Sequence, residues 1–416
     1  MESTSESVKI THKKQKRNNL TLLIRKIRTH HQHPEGRMFS WMVLILGFGI
    51  GLILPIFPNF VKSIVNTDEG VSMFYAVMAI IMFISAMSST IIFKKVERTT
   101  IIKVSFFLAA LSWFLLIFAT RVTELAVLRT ISVWFNLFIL MALSLFVRDF
   151  AKSKDLGEEE GIFYRFHNIG SLLGPLIGGF VAVYMGYEMV FILASFIMFI
   201  GLFYFYHKHI IQKHPALVNQ KKTSSSKLLS NIKEFLVDGE RRKAYFVTFV
   251  MMVHVGFKRL YIPLYVVYSG YVESMSGLIL ALCVVPLIFM EVKVGEYADK
   301  HGVRLPISAG FLILGVTFIA VFLSPFTLLN FFLLIIGNIG AALVEPLQEY
   351  YLFKHLPKSK EEDLYGVYMT ADPIAYFVTP LIGAAFLILL PFEFIFLGFG
   401  LLTIGAAAIS WTTIKH

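Results

Sequence analysis

Among the polar or charged residues inside long apolar runs, where few should be tolerated, seven stand out. Arg129 and Asn136 share one run, His254 and Lys258 a second, Asn338 and Glu345 a third, and Asp372 lies in a fourth. A charge at mid-membrane costs on the order of 3 kcal/mol, against about 0.5 kcal/mol gained per Leu, Ile or Phe. Each such residue therefore has to be explained by a role, whether binding a solute, carrying a proton or closing an ion pair. His254, Lys258, Tyr261 and Tyr265 recur at i, i+4, i+7 and i+11, one face of a helix. That face reads as a cationic cavity wall for an anionic or polar group. The bland reading is that Lys258 and its neighbour Arg259 stretch their stems to water. Asn338 and Glu345 share a face at i, i+7, and Glu349 continues it. At 1.5 Å per residue Glu345 lies about 12 Å from the inner end of its run. A carboxyl at that depth is a candidate to take up and release a proton, and Asp372, before Pro373, is a second. A structural ion pair is the alternative. Arg129, near the outer end of its run, and Asn136 seven residues on can both face a cavity.

The elements that must carry these residues follow from composition. Apolar residues make up 56% of the 416, and mean hydropathy is +0.71. Both lie above the range of soluble globular chains. Apolar runs fall near 39–61, 71–93, 101–120, 123–148, 161–185 and 187–206, then 243–268, 271–293, 305–323, 326–353, 364–390 and 391–413. Most approach or exceed the roughly 20 residues needed to cross a bilayer. They define helices 1 to 12 of a polytopic, all-α membrane protein. The organisation is a basic tail (1–38), a six-helix bundle (39–206), a linker (207–242) and a second six-helix bundle (243–413). Cys283 is the one cysteine, so neither a disulfide framework nor a cysteine metal site is expected. The 41 Phe residues form no stripe and read as packing and lipid-facing residues.

The net charge of +11 is a topology signal, not a nucleic-acid footprint. Of 38 Lys and Arg, the external loops hold only Lys62 and Arg121 when both termini are placed inside. Five more (Lys103, Arg129, Arg165, Lys258 and Arg259) fall within runs, and the rest lie in or at the edge of inner segments. This predicts cytoplasmic termini in a plasma (inner) membrane. In the tail, 19–28 suits a short interfacial helix, and His30, His31 and His33 read as tail residues more readily than as metal ligands. The linker holds a polar stretch (220–226) and an amphipathic piece (Leu228, Leu229, Ile232, Phe235, Leu236).

Two motifs and a repeat complete the reading. Gly170, Gly174 and Gly178 recur every fourth residue beside Pro175 and Gly179, the small-xxx-small pattern of closely packed membrane helices, with a bend expected at the proline. At an offset of 205, Pro175-Leu176-Ile177-Gly178 falls on Pro380-Leu381-Ile382-Gly383. Gly51 likewise falls on Gly256, and Pro58 on Pro263. The chain reads as a duplicated six-helix unit. Gly170, Gly174 and Gly179 do not recur; Ala375, Thr379 and Ala384 take their places.

Two six-helix halves in parallel repeat, joined by a basic linker, resemble the major facilitator superfamily of secondary transporters. The loop Gly295-Glu296-Tyr297-Ala298-Asp299-Lys300-His301-Gly302-Val303-Arg304 matches that family's G-x-x-x-D-[RK]-x-G-x-[RK] loop. The helix 5 run resembles the G-x-x-x-G-P-x-x-G-G signature of the family's antiporters. The loop between helices 2 and 3 lacks the Gly and Asp of the pattern, and Ser132-Val133 replaces the Gln-Gly that follows the helix 4 arginine. The resemblance implies a central cavity lined by helices 1, 4, 7 and 10. It assigns Gly295, Asp299, Lys300, Gly302 and Arg304 to an inner gate, with Glu291 and Lys293 beside it.

The expected function is secondary active transport of a small solute by alternating access, as proton-coupled antiport or efflux. The alternative is proton- or sodium-coupled symport of a small anion or sugar. An enzyme is not expected, because the short external loops leave no room for a convergent site, and a sensor would be expected to bring an output domain. The partners expected are a solute, a coupling proton and the bilayer, with no nucleic acid, no cofactor and no metal; a monomer is the expected state.

Overall fold

The computed structural model describes residues 34–150, 156–207, 228–357 and 361–414. The tail segment 19–28, His30, His31 and His33 lie outside the described residues, as does the linker stretch 220–226. The face carrying the Lys/Arg-rich loops is called inner, following the charge asymmetry, and the opposite one outer.

Every described element is helical. Helix 1 begins at Pro34, five residues before its apolar run, a first-turn position that suits proline. It comprises Pro34–Ile53 and Phe57–Val65, bent by 41°. Helix 2 is Asp68–Lys95, helix 3 Arg98–Leu115 and helix 4 Val122–Phe150. Helices 5 and 6 run together as Leu156–His207, but Gly186 (φ 83°, ψ 171°) reverses the chain between them. Only glycine takes that conformation without strain. A short helix, Leu228–Val237, precedes helix 7 (Gly239–Tyr268). Helix 8 is Glu273–Leu282 and Val285–His301, and helix 9 is Arg304–Leu323. Helix 10 is Thr327–Val344 and Leu347–Phe353, helix 11 Glu361–Tyr368 and Ala371–Leu389, and helix 12 Phe394–Thr413. With the break at Gly186 the long apolar helix holds two spans, and the bent first helix supplies another, making the expected twelve.

Local chemistry explains the helix starts. Thr67 caps helix 2 by accepting from the Gly70 N–H at 3.1 Å, with Asp68 and Glu69 in the first turn. Asp238 caps helix 7 through the N–H groups of Glu240 and Arg241. Helical dihedrals continue through Pro175; the departure in that run is at Gly186. Breaks occur instead at 54–56, 283–284, 345–346 and 369–370. Pro55, Pro286, Pro346 and Pro373 lie at or just beyond those breaks, where the ring cannot continue the preceding ladder.

The repeat is visible in the packing. Helix 5 lies on helix 1, where a Cβ on Gly174 would come within 2.6 Å of the Phe48 carbonyl and 2.7 Å of the Gly51 Cα. Helix 11 lies on helix 7 at the equivalent positions, where a Cβ on Gly256 would meet the Thr379 hydroxyl at 3.1 Å. Thr379 fits because its hydroxyl turns back to the Ala375 carbonyl at 2.8 Å. Large side chains such as Phe180, Phe203, Phe289 and Leu389 are more than half exposed, as on a surface that meets lipid.

Candidate functional site

Helices 1, 2, 4 and 5 of the first half and 7, 10 and 11 of the second bring a basic and acidic cluster together. Arg259, nine residues from the outer end of helix 7, is its hub. Its Nη1 donates to the Tyr376 hydroxyl on helix 11 at 3.0 Å. Its charge is felt by Arg129 and His167 of the first half and by Glu345 and Asp372 of the second. By helix rise, Arg259 is about 14 Å below the outer end of helix 7 and Tyr376 about 20 Å below that of helix 11. The Arg259 guanidinium thus lies well below the outer end of its helix. It is exposed while facing groups from both halves, so it borders the space between them.

Arg129 approaches from helix 4. Its guanidinium lies 4.3 Å from the centroid of the Phe57 ring, with Tyr75 of helix 2 also near. Phe57 opens the second piece of helix 1, so the break at 54–56 is what swings an aromatic face beneath the charge. Asn136, two turns further along helix 4, keeps a buried Oδ1 with no hydrogen-bond partner. The two anticipated acids both stand at broken helices. Glu345 ends the first piece of helix 10, and Asp372 sits in the first turn of the second piece of helix 11. Charged groups at discontinuous membrane helices are a recurrent way to build ion and solute sites. Lys258 lies within electrostatic reach of Glu345 and His254.

Other expected site residues are placed differently. His254 and Asn338 are buried between helices 7 and 10, with His254 Nε2 3.4 Å from Asn338 Oδ1 and the Asn338 amide donating to the Leu334 carbonyl. The face shared with Tyr261 and Tyr265 divides. Tyr265 turns into the second half and accepts from Asn330 at 2.8 Å, whereas Tyr261 reaches the first half. Glu349 lies beyond the break at 345–346, exposed and bonded by Tyr365. The break interrupts the helical register that placed it on the face of Asn338.

The helix 5 motif presents two faces. Gly170, Gly174 and Gly178 meet the backbone of helix 1, and a Cβ at any of them would overlap or crowd it. Pro175 and Gly179 face helix 8 of the other half. A Cβ on Gly179 would lie 2.7 Å from the Glu273 carbonyl, and one on Gly277 would overlap the Pro175 carbonyl. The halves also meet where Asn59 donates to the Pro263 carbonyl at 3.3 Å, and where Tyr187 donates to Glu273. These contacts all lie toward the outer end. The arrangement is that of a pair of bundles closed on the outer side.

At the inner end, Gly302 (φ 80°) ends helix 8 and turns the chain into helix 9. Gly295, in contrast, faces open space. Asp299 lies near the Tyr350 hydroxyl of helix 10, and Arg304 lies 4.2 Å from the Trp411 ring of helix 12. Lys300 is exposed. Asp299 and Arg304 thus each lie beside an aromatic residue of their own half.

From sequence, Arg259 carries less weight than Lys258, and Tyr75 and Tyr376 do not stand out. The adjacency of two cations offers no means to tell which turns inward. The one available signal is the repeat, which sets His167 opposite Asp372, the two groups on either side of Arg259.

Two six-helix bundles with a charged cluster between them define a membrane transporter. The family profile described as Major Facilitator Superfamily matches residues 39–371 and 244–415, and the chain belongs to that family. An uncharacterized MFS-type transporter of Methanocaldococcus jannaschii is 21% identical over 334 residues, 79% of this chain and 85% of that one. Multidrug resistance protein 2 of Bacillus subtilis is 24% identical over 217 residues, 52% of this chain and 53% of that one. Among solved structures, a D-xylose-proton symporter (TM-score 0.74, 14% identity) aligns over 91% of this chain and 97% of its own. The nucleoside transporter NupG (TM-score 0.73, 10% identity) aligns over 92% and 100%. At such identities the structural likeness concerns the fold. The chain is a multi-pass membrane transporter rather than an enzyme.

Proposed function

We propose that the chain is a proton-coupled secondary transporter that exports a small solute by alternating access. The observation that carries this reading is the shared cluster in which Glu345 and Asp372, each at a helix break, face the same Arg259. A proton on either carboxyl changes the net charge of the space between the halves, and so changes which closure is favoured. The bundles 39–206 and 243–413 rock about that space, with 207–242 as a cytoplasmic linker and both termini in the cytoplasm of a plasma-membrane protein. Loop residues Gly295, Asp299, Lys300, Gly302 and Arg304 serve the inner closure. His254 and Asn338 hold helix 10 in register with helix 7, and Arg129, Asn136 and Lys258 border the solute. The protein works as a monomer.

Export is supported by the helix 5 motif and by the name of the Bacillus relative. The motif's support is reduced by the packing of Gly170, Gly174 and Gly178 on helix 1, which accounts for those glycines whatever the direction of transport. A second reading, proton- or sodium-coupled uptake of a small anion, is favoured by three cations in the membrane, Arg129, Lys258 and Arg259.

Purified protein reconstituted into vesicles with an internal pH dye separates the two. Benzoate, xylose and ethidium sample anionic, neutral and cationic solutes. A solute that drives protons opposite to its own movement supports antiport; one that drives them the same way supports symport. Glu345→Gln and Asp372→Asn should abolish the solute-dependent proton flux singly or together. Full flux in the double variant removes both carboxyls from the coupling role.

A further inference from the structure

The basic groups of the central cluster are short of counter-charge. Ion pairs among the described residues join Lys62 to Asp68, Arg241 to Asp238 and Lys243 to Glu240; Arg129, Lys258 and Arg259 take part in none of them. Arg129 comes from the first half and Arg259 from the second, and Arg129 feels Arg259 as a like charge. Their close partners are aromatic and neutral: Phe57 and Tyr75 beside Arg129, and Tyr376 beside Arg259. Glu345 and Asp372 act on Arg259 from a distance, and neither closes an ion pair with it. Arg129 is half-buried and Arg259 borders the space between the halves, so bringing the halves together sets two like charges against one another without a counter-ion, which is costly. Such a pair is retained when something negative arrives between them. Arginine in both places, rather than lysine, suits a planar oxyanion that accepts two parallel hydrogen bonds.

We propose that the space between Arg129 and Arg259 binds the carboxylate or phosphate head of a small organic anion, whose apolar body lies against Phe57, Tyr75 and Tyr376. Because one arginine belongs to each half, the bound anion also ties the halves together. The substrate class rests on the transport reading above, whereas the site can be tested without it.

The test is thermal unfolding of the purified protein in neutral detergent with matched ligands: benzoate against benzamide, 2-naphthoate against 2-naphthamide, and phenyl phosphate against phenol. The anions should raise Tm in a saturable way and the neutral partners should not. The carboxylate and phosphate arms show which head is preferred. Arg129→Gln and Arg259→Gln should each weaken anion binding about tenfold or more, and Arg129→Lys and Arg259→Lys by less. Without ligand, the Gln variants should unfold at the same temperature as the wild type or higher, because an uncompensated charge has been removed. A structural arginine would give the opposite shift. Equal stabilisation by the amides, no stabilisation by any anion, or unaltered anion binding in the Arg129→Gln/Arg259→Gln protein would each overturn the site. A further arm adds phosphatidylglycerol in mixed micelles. If that lipid stabilises the wild type through the two arginines and blocks benzoate, the occupant is a lipid headgroup and the small-anion proposal fails. Anion binding without gradient-driven flux would count against transport and leave the site standing. Flux of xylose or ethidium with no anion binding would do the reverse.

Discussion

The hydroxyl of Tyr261 on helix 7 lies 2.9 Å from that of Ser72 on helix 2, a hydrogen bond that crosses between the two halves. The same tyrosine oxygen is 3.5 Å from the Pro380 carbonyl of helix 11. The repeat gives this contact a twin, since Ser72 corresponds to Gly277 and Pro380 to Pro175, each pair 205 positions apart. On one side of the pseudo-twofold axis a tyrosine bridges helix 2 to the proline of helix 11. On the other, Gly277 lets helix 8 lie directly on the proline of helix 5.

Removing the Tyr261 hydroxyl should loosen the outer closure without unfolding the protein. A hydrogen bond of this kind contributes about 1 kcal/mol net, or roughly fivefold in a two-state population. Tyr261→Phe should therefore increase the outward-open fraction, read as a longer distance between spin labels on the outer loops of the two halves. An unchanged distance distribution would show that the bond does not hold the closure.

Gly277→Val should act more strongly on the twin contact. Its side chain would meet the Pro175 carbonyl, so helices 5 and 8 cannot approach as they do here. We expect transport to fall more than tenfold, the outer loops to stay apart, and thermal stability to change little, because each half keeps its own packing. A large loss of stability with normal closure would contradict this.

Gly174→Thr and Gly178→Ala should damage the first half itself. The added atoms would press on the backbone of helix 1 at Phe48, Gly51 and Leu52. Overpacking costs typically about 1–3 kcal/mol and more against immovable backbone. A lower Tm in both variants, whatever the solute or gradient, is the expected result.

Asp238 should give helix 7 a pH-dependent start. Burial pushes its carboxyl up, but the N–H groups of Arg241 and Glu240 and the Arg241 charge outweigh that and hold it below the usual carboxylate range. Its contribution is therefore complete above the unfolded value, about 3.9, and is lost as pH falls through the lower folded value. Asp238→Ala should cost about 1 kcal/mol at pH 7. Asp238→Asn should keep most of the cap and flatten the change in Tm between pH 5 and pH 2. Equal acid sensitivity in the Asn variant would place that sensitivity elsewhere.

Twelve spans, their duplication and their expected sidedness could be read directly from the chain, because a bilayer imposes length, apolarity and charge asymmetry residue by residue. The cost of intramembrane charge likewise marked Arg129, Lys258, Glu345 and Asp372 without any coordinates. Which of those charges meet was decided by tertiary structure. Breaks at 54–56, 345–346 and 369–370 reset helical phase, so spacing along the chain could not say that Glu349 leaves the face of Asn338, nor that Phe57 turns beneath Arg129. Arg259 is the clearest case. Beside Lys258 it was one of two flexible cations, and only the approach of helices 4, 5, 10 and 11 makes it the centre. The glycines of helix 5 were visible as a close-packing pattern from the start; that three serve helix 1 and a fourth, with Pro175, serves the opposite half depends on which backbone lies against each.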